Sequence, residues 1–380
     1  MRFGCLAKLV VEELLVISPS GSKGYFVERM TKLLSVATAA VHPEQSSDTQ
    51  HLRFPRVDYI ELQRILDVET LDYSTYDRNG AGKIFRQLET QLRSDVFLAT
   101  LSWLQSCRHS LVFTWSERAG IPFSAYHRFM PSRHRFVTMF QCWSPRQEFA
   151  IKTLSLFQAM DTIIVHCVSM RENLIRLGAQ RERVKLIHYS IDQNFFAPRA
   201  DVQQRSKVIM SIGEPRSRDY ASLLQAVQGL PVTLEVAGYG HWYAREKKNS
   251  LKMRIPENVI MLKHLRQSEL RQQYASSQFV VIPVQDLVYS AGATASMEAG
   301  SMGRAVIAFR SRGITDYIID GETGILVDPG NVQAMRDAVQ SLLANPKEAK
   351  RLGENARQRI LEELNLETYV KNIATVLTQQ

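Results

Sequence analysis

Between Val208 and Val327 short apolar runs alternate with polar turns and with stretches of helical period, and this alternation restricts that half of the chain to a parallel α/β sheet. The runs are Val208–Gly213, Val232–Val236, Val259–Leu262, Phe279–Pro283, Ala305–Phe309 and Gly324–Val327. Parallel neighbours cannot be joined by a tight hairpin and need a crossover. Tyr220–Val227, Gln267–Ala275 and Ala295–Met302 carry the helical pattern that supplies it. Three amphipathic stretches follow, at Val332–Leu343, Lys347–Leu364 and Leu366–Leu377, and the last is expected to pack back on the first half.

The first half repeats the theme less regularly. Leu14–Ile17, the loop Ser18–Gly24 and Tyr25–Leu34 read as a strand, a glycine-containing turn and a helix. Val96–Ala99, Leu111–Thr114, Phe123–Tyr126, Thr162–Val165 and Val184–Ile187 read as further strands, with a helix over Arg146–Met160. At 380 residues the chain exceeds what one core usually serves, so two domains are expected. They divide as 1–197 and 198–365, with 366–380 as a returning helix; the join falls in the Pro-containing, aperiodic stretch Phe196–Arg205.

Composition narrows the function classes. Hydrophobic residues make up 45% and charged residues 22%, which fits a globular chain and excludes a disordered one. A formal charge of +9 favours anionic partners. Nucleic acid is not expected among them, because no reading motif accompanies the charge. Cys5, Cys107, Cys142 and Cys167 are too widely spaced for a metal knuckle, and no other metal-ligating cluster stands out. They read as free thiols of a cytoplasmic protein. Glu12 and Glu13 interrupt the N-terminal apolar stretch, so no signal peptide is expected. The longest apolar stretches, such as Val96–Leu104, fall short of a span, so any membrane contact is expected to be peripheral. The basic segment Arg245–Arg254 reads as a surface turn.

The chemistry concentrates in two loops. Ser290-Ala-Gly-Ala-Thr-Ala-Ser-Met-Glu298 follows a buried strand and opens a helix, so the amides of Gly292, Ala293 and Thr294 can converge on an anion at the positive end of the helix dipole. Glu298 stands about one turn further in, within reach of sugar hydroxyls. The same small residues would also allow plain helix-on-sheet packing. Ser211-Ile-Gly213-Glu-Pro-Arg216-Ser-Arg218 ends another strand in glycine and sets two arginines in the turn, where a guanidinium forks onto phosphate oxygens. Arg218 is the preferred clamp and Arg216 the second. Both loops follow strands of one sheet, and ligands of open α/β sheets gather at the carboxyl ends of the strands.

The runs Glu298–Ala308 and Gly313–Val327 resemble the donor domain of retaining glycosyltransferases of family 4, whose two Rossmann-like domains face each other across a cleft in the GT-B fold. Ile163–Ser169 and Ile187–Pro198 resemble the same family's strand and crossover between domains. The likeness is strong over about residues 160–365 and weak before it. It implies transfer of a sugar from a nucleotide-sugar donor to an acceptor hydroxyl with retention, without a metal and without any cofactor beyond the donor itself. A glycan, a lipid-linked molecule or a small molecule could be the acceptor. Carried over by position, the resemblance puts Arg218 at the diphosphate, Glu298 at the ribose, Gly213 and Gly292–Thr294 around the phosphates, and His127 at the end of a strand lining the donor sugar.

Two positions depart from the family. Ser290 stands where the family commonly has a second glutamate against the transferred sugar, and Glu214 follows Gly213 where an arginine is common. A hydroxyl still hydrogen-bonds a sugar but brings no negative charge to a cationic transition state. A catalytically silent GT-B scaffold and a nucleotide-sugar epimerase are therefore the alternative readings.

Overall fold

The structure is a computed structural model that describes residues 33–39, 54–77, 80–130, 132–237, 255–263 and 265–379. In the first unit the elements are β1 (Leu33–Val36), α1 (Asp58–Ile65), β2 (Val68–Leu71), α2 (Ser74–Asp77), α3 (Gly80–Leu92), α4 (Val96–Gln105), β3 (Leu111–Thr114), α5 (Glu117–Phe129), β4 (Arg135–Phe140), α6 (Pro145–Leu154), β5 (Thr162–Val165), α7 (Val168–Arg176) and β6 (Val184–Leu186). The second unit runs through β7 (Val208–Ile212), α8 (Tyr220–Val227), β8 (Thr233–Ala237), β9 (Val259–Leu262), α9 (Gln267–Ser276), β10 (Val280–Ile282), α10 (Ala293–Ser301), β11 (Val306–Phe309), β12 (Ile325–Val327), α11 (Val332–Ala344), α12 (Pro346–Glu362) and α13 (Leu366–Thr378).

Each unit is one six-stranded parallel sheet, ordered β2-β1-β3-β4-β5-β6 in the first and β12-β11-β10-β7-β8-β9 in the second. Central strands such as β5 and β10 are buried along their whole length, which is why they read as unbroken apolar runs. The second unit has a single core, from Ile209 and Met210 across Phe279–Ile282 to Leu352 and Ile360. The first unit has one layer on each face of its sheet. Helix α13 closes one of them: Leu366, Tyr369, Val370, Ile373 and Leu377 pack with Phe113, Trp115, Met139 and Ile164, so the end of the chain completes the core of its beginning.

Three expectations for the first unit are corrected. Leu33 and Leu34, read as the end of a helix, belong to β1, which pairs with both β2 and β3. The strand expected at Val96–Ala99 is the first turn of α4, whose opening amides at Phe97 and Leu98 donate to Glu89 at 2.8 and 3.1 Å. The strand expected at Phe123–Tyr126 lies inside α5. Pro122 in that helix cannot donate to Arg118 O, which accepts instead from Asp95 N at 2.9 Å, so the helix tolerates its proline. Gly120 lets α5 lie flat on the sheet: a Cβ there would stand 2.0 Å from Thr138 Oγ1 and 2.8 Å from Thr114 Oγ1. The strand and loop expected at Leu14–Gly24, and the basic segment Arg245–Arg254, lie outside the described residues.

Candidate active site

In the second sheet the strand order reverses between β10 and β7, so the loops leaving these two neighbours depart to opposite sides and open a crevice at their carboxyl ends. Strand β7 enters it through Gly213, whose φ of +138° lies in a region that favours glycine. A Cβ at Gly213 would stand 2.4 Å from the Arg218 guanidinium, so the glycine makes room for that side chain to fold back under the strand end. There Nε donates to Ile212 O at 3.1 Å, and Nη1 to Ser217 O and Oγ at 3.2 and 3.0 Å. Nη2 has no protein acceptor among the described residues.

Arg218 is 7% exposed and forms no ion pair among the described residues. Burial lowers its pKa, against weak support from Tyr220, Tyr274, Tyr289 and Glu214. A buried cation without a counter-ion is costly, and an anion that reached it would relieve that cost. Arg216 sits on the exposed turn, 4.0 Å from Glu214.

The helix start lies against the same spot. Arg218 bridges Val284, just past β10, and Val284 Cβ is 3.6 Å from where a Cβ on Gly292 would be. Gly292 caps α10 with φ +87°; its absent side chain lets it sit close to Ile282 and Ile314. Ala293 N donates to Ser290 O at 3.2 Å, while the amide of exposed Thr294 belongs to the first turn, where a helix offers donors it cannot use itself. Glu298, further along α10, is 8% exposed and accepts from Tyr274 Oη at 2.8 Å. Burial pushes its carboxyl up to about 7, with the Tyr274 bond pulling the other way.

Ser290 and its neighbour Tyr289 press on Gly313, where a Cβ would stand 1.9 Å from Tyr289 O and 3.0 Å from Ser290 Cα. This loop is where the units meet. Val288 O accepts from Ser169 Oγ at 2.7 Å, and Tyr317 Oη donates to His166 O at 2.6 Å and accepts from Tyr189 N at 2.9 Å. Asp316 accepts from Val168 N at 2.6 Å, capping α7 from the opposite unit, while Cys167, its own N-cap, makes no side-chain capping bond. The sequence reading missed Asp316 and Tyr317 as bridging residues, since their partners are more than a hundred positions away.

On the first unit's carboxyl edge, Glu117 is buried and accepts from Gln141 N at 2.9 Å and Cys142 N at 3.4 Å. Burial raises its pKa and those amides oppose the rise. Asp95, also buried, pairs with Arg118 at 2.7 Å. Glu117 was not anticipated either; a carboxylate right after a strand is the only local signal.

His127 does not join this site. It occupies the last turn of α5, which has run back from the carboxyl edge, and its Nδ1 is 3.2 Å from His134 Nε2 and 3.0 Å from Ser132 Oγ. Burial lowers its pKa, and that of His134 to about 4, which disfavours charge on the pair beside Phe123 and Phe136. The expectation of a strand ending in a cleft histidine is thereby corrected: Phe140, Gln141 and Cys142 stand at the carboxyl end of β4 instead.

Residues 193–359 match the family model described as glycosyl transferases group 1. Among curated proteins, the chain is 24% identical over 208 residues to a GDP-mannose-dependent alpha-(1-6)-phosphatidylinositol monomannoside mannosyltransferase of Mycolicibacterium smegmatis, covering 50% of this chain and 54% of that protein. It is 27% identical over 218 residues to the sulfoquinovosyl transferase SQD2 of Arabidopsis thaliana, covering 53% and 42%. The chain thus spans about half the length of the curated relatives it matches. Among solved structures, sucrose-phosphate synthase of Thermosynechococcus elongatus superposes with a TM-score of 0.69 at 16% identity, covering 91% of this chain and 98% of that one. HepE of Anabaena, solved with UDP and glucose, superposes with a TM-score of 0.68 at 15% identity, covering 92% and 100%. The fold is that of the GT-B glycosyltransferases.

Proposed function

We propose that the protein is a glycosyltransferase that moves a sugar from a nucleotide-sugar donor to an acceptor hydroxyl, with retention at the anomeric carbon. The observation that carries this reading is the buried Arg218 guanidinium, without an ion pair or an Nη2 acceptor among the described residues, beside the start of α10 at the strand-order reversal. The match of residues 193–359 to the group 1 model and the UDP of the HepE structure support it.

In the proposed reaction the donor diphosphate lies between Arg218 and the amides of Gly292, Ala293 and Thr294, and Glu298 accepts from ribose hydroxyls. The acceptor hydroxyl attacks the anomeric carbon on the face the diphosphate leaves; the bond to the diphosphate oxygen breaks with its electron pair, and the hydroxyl proton passes to a leaving phosphate oxygen. Negative charge grows on the diphosphate, where Arg218 and the helix amides stabilise it. In this account the protein's own cation and amides provide the charge stabilisation. Ser290 hydrogen-bonds the sugar. The acceptor is a glycan, a lipid-linked molecule or a small molecule with a free hydroxyl, bound along the first unit's carboxyl edge.

The hydroxyl of Ser290 favours a second reading, a donor-binding scaffold without turnover. Radiolabel transfer and hydrolysis assays with a panel of nucleotide sugars separate the two. The transferase reading expects turnover with at least one donor, and loss of it in Arg218→Ala. Tight diphosphate binding with no transfer or hydrolysis from any donor leaves the scaffold.

A further inference from the structure

The second sheet carries an open cavity at the end opposite the Arg218 crevice. Gln204, Gln278 and Arg304, which stand just ahead of β7, β10 and β11, line it together with Pro198 of the connection from β6 and Lys347 of α12. Its volume of about 540 Å³ lies within the roughly 300–1,000 Å³ of small-molecule sites. Gly303 turns the chain out of α10 with φ +70°, and Gly353 lets α12 lie against that turn, since a Cβ there would stand 2.2 Å from Gly303 O. Lys347, Lys350 and Glu354 follow one another at helical spacing along α12 and line the same cavity.

The walls hold polar groups that the protein itself does not use. Arg304 Nε and Nη2 donate to Tyr274 O at 3.2 Å and Ala275 O at 2.5 Å, closing the end of α9, while Nη1 has no acceptor among the described residues. Gln204 Nε2 donates to Ser277 O at 3.1 Å and Gln278 O at 3.3 Å, and Gln278 Oε1 accepts from Lys207 N at 2.9 Å. Gln204 Oε1 and Gln278 Nε2 are left without partners among the described residues. Glu354 is the one acid among the described lining residues, and it stands 3.6 Å from Lys350. Arg304 and Lys347 form no ion pair among the described residues, and burial lowers the pKa of the half-buried Arg304 with no charged neighbour offsetting it. Two bases without counter-charges match a phosphate dianion, and the unused amide groups match hydroxyls.

We propose that this cavity binds a small phosphate monoester bearing hydroxyls, with the phosphate on Arg304 and Lys347, the hydroxyls on Gln204 Oε1 and Gln278 Nε2, and the carbon chain against Met302 and Pro198. The inference does not depend on the transferase reading, because the cavity lies at the amino ends of β7, β10 and β11 and the Arg218 crevice at the carboxyl ends of β7 and β10.

The full chain is titrated calorimetrically with glycerol 3-phosphate, with inorganic phosphate and with glycerol. Saturable binding is expected for the ester, binding weaker by roughly five-fold or more for inorganic phosphate, which offers the amides no carbon-bound hydroxyl, and none for glycerol. Arg304→Gln is expected to weaken ester binding by roughly ten-fold or more, since it removes the charged donor. Lys347→Glu reverses one exposed charge, and roughly a five-fold loss is expected there. It decides the matter should the first variant fail to fold. Arg218→Ala is expected to leave ester binding unchanged, which separates this cavity from the diphosphate crevice. The proposal is overturned by absence of saturable ester binding to the wild-type chain, by unchanged affinity in either folded variant, by inorganic phosphate or glycerol binding as tightly as the ester, or by loss of ester binding in Arg218→Ala.

Discussion

The carboxyl edges of the two sheets deal with buried charge in opposite ways. On the first, Glu117 accepts from the amides of Gln141 and Cys142 and Asp95 has Arg118 as its counter-charge, although Asp95 Oδ2 and Arg118 Nε find no hydrogen-bond partner among the described residues. On the second, Arg218 is also buried, but among the described residues it finds carbonyls and a hydroxyl and no counter-charge. Burial alone therefore does not mark a ligand site; burial without a counter-charge does.

Substitutions that touch one edge and spare the other sharpen this contrast. The largest effect is expected from Arg218→Ala, which should weaken nucleoside diphosphate binding by about 100-fold, near 3 kcal/mol, in calorimetric titration. Gly313→Ala drives a methyl into Tyr289 O and should cost about 2–3 kcal/mol in denaturant unfolding, with donor binding impaired as the Ser290 loop shifts. Gly120→Ala is its counterpart in the first unit. It should cost about 2 kcal/mol through the clash with Thr138, yet leave diphosphate affinity of the folded protein unchanged. Equal loss of affinity in both glycine variants would mean the two edges are not separable.

Glu298 gives a smaller effect that depends on pH. Its folded pKa is raised to about 7 from 4.5, so between these values the folded state holds a proton that the unfolded state has released. Stability therefore falls as pH rises through that window and levels off above it. Glu298→Gln should remove a slope of about 1.4 kcal/mol per pH unit within this window, read from denaturant unfolding at several pH values; an unchanged slope would show that the carboxyl is not the group responsible. Arg216→Ala should change diphosphate affinity by less than about 0.5 kcal/mol, since its charge is exposed and near Glu214.

The same asymmetry governs how much could be read from the residues alone. The second sheet is legible because its strands are buried on both faces and close in glycine, as at Val208–Gly213, and because α10 opens on a run of small residues. The first unit conceals its order in non-local contacts. Helix α4 is apolar nearly all round and is started by Glu89 from another helix, so Val96–Ala99 looks like a strand. Phe123–Tyr126 looks like one too, because Pro122 argues against a helix until Asp95 takes up the carbonyl it strands. Arg218 and Gly292 could be placed together from their following strands of one sheet. His127 could not be placed, because whether it faces the cleft depends on whether its segment runs toward the carboxyl edge or away from it.

The most direct test is a crystal structure of the protein with a nucleoside diphosphate. The account predicts phosphate oxygens within hydrogen-bond distance of Arg218 Nη2 and of the amides at the start of α10. A nucleotide bound elsewhere, with Arg218 still bonded only to Ile212 and Ser217, would contradict it.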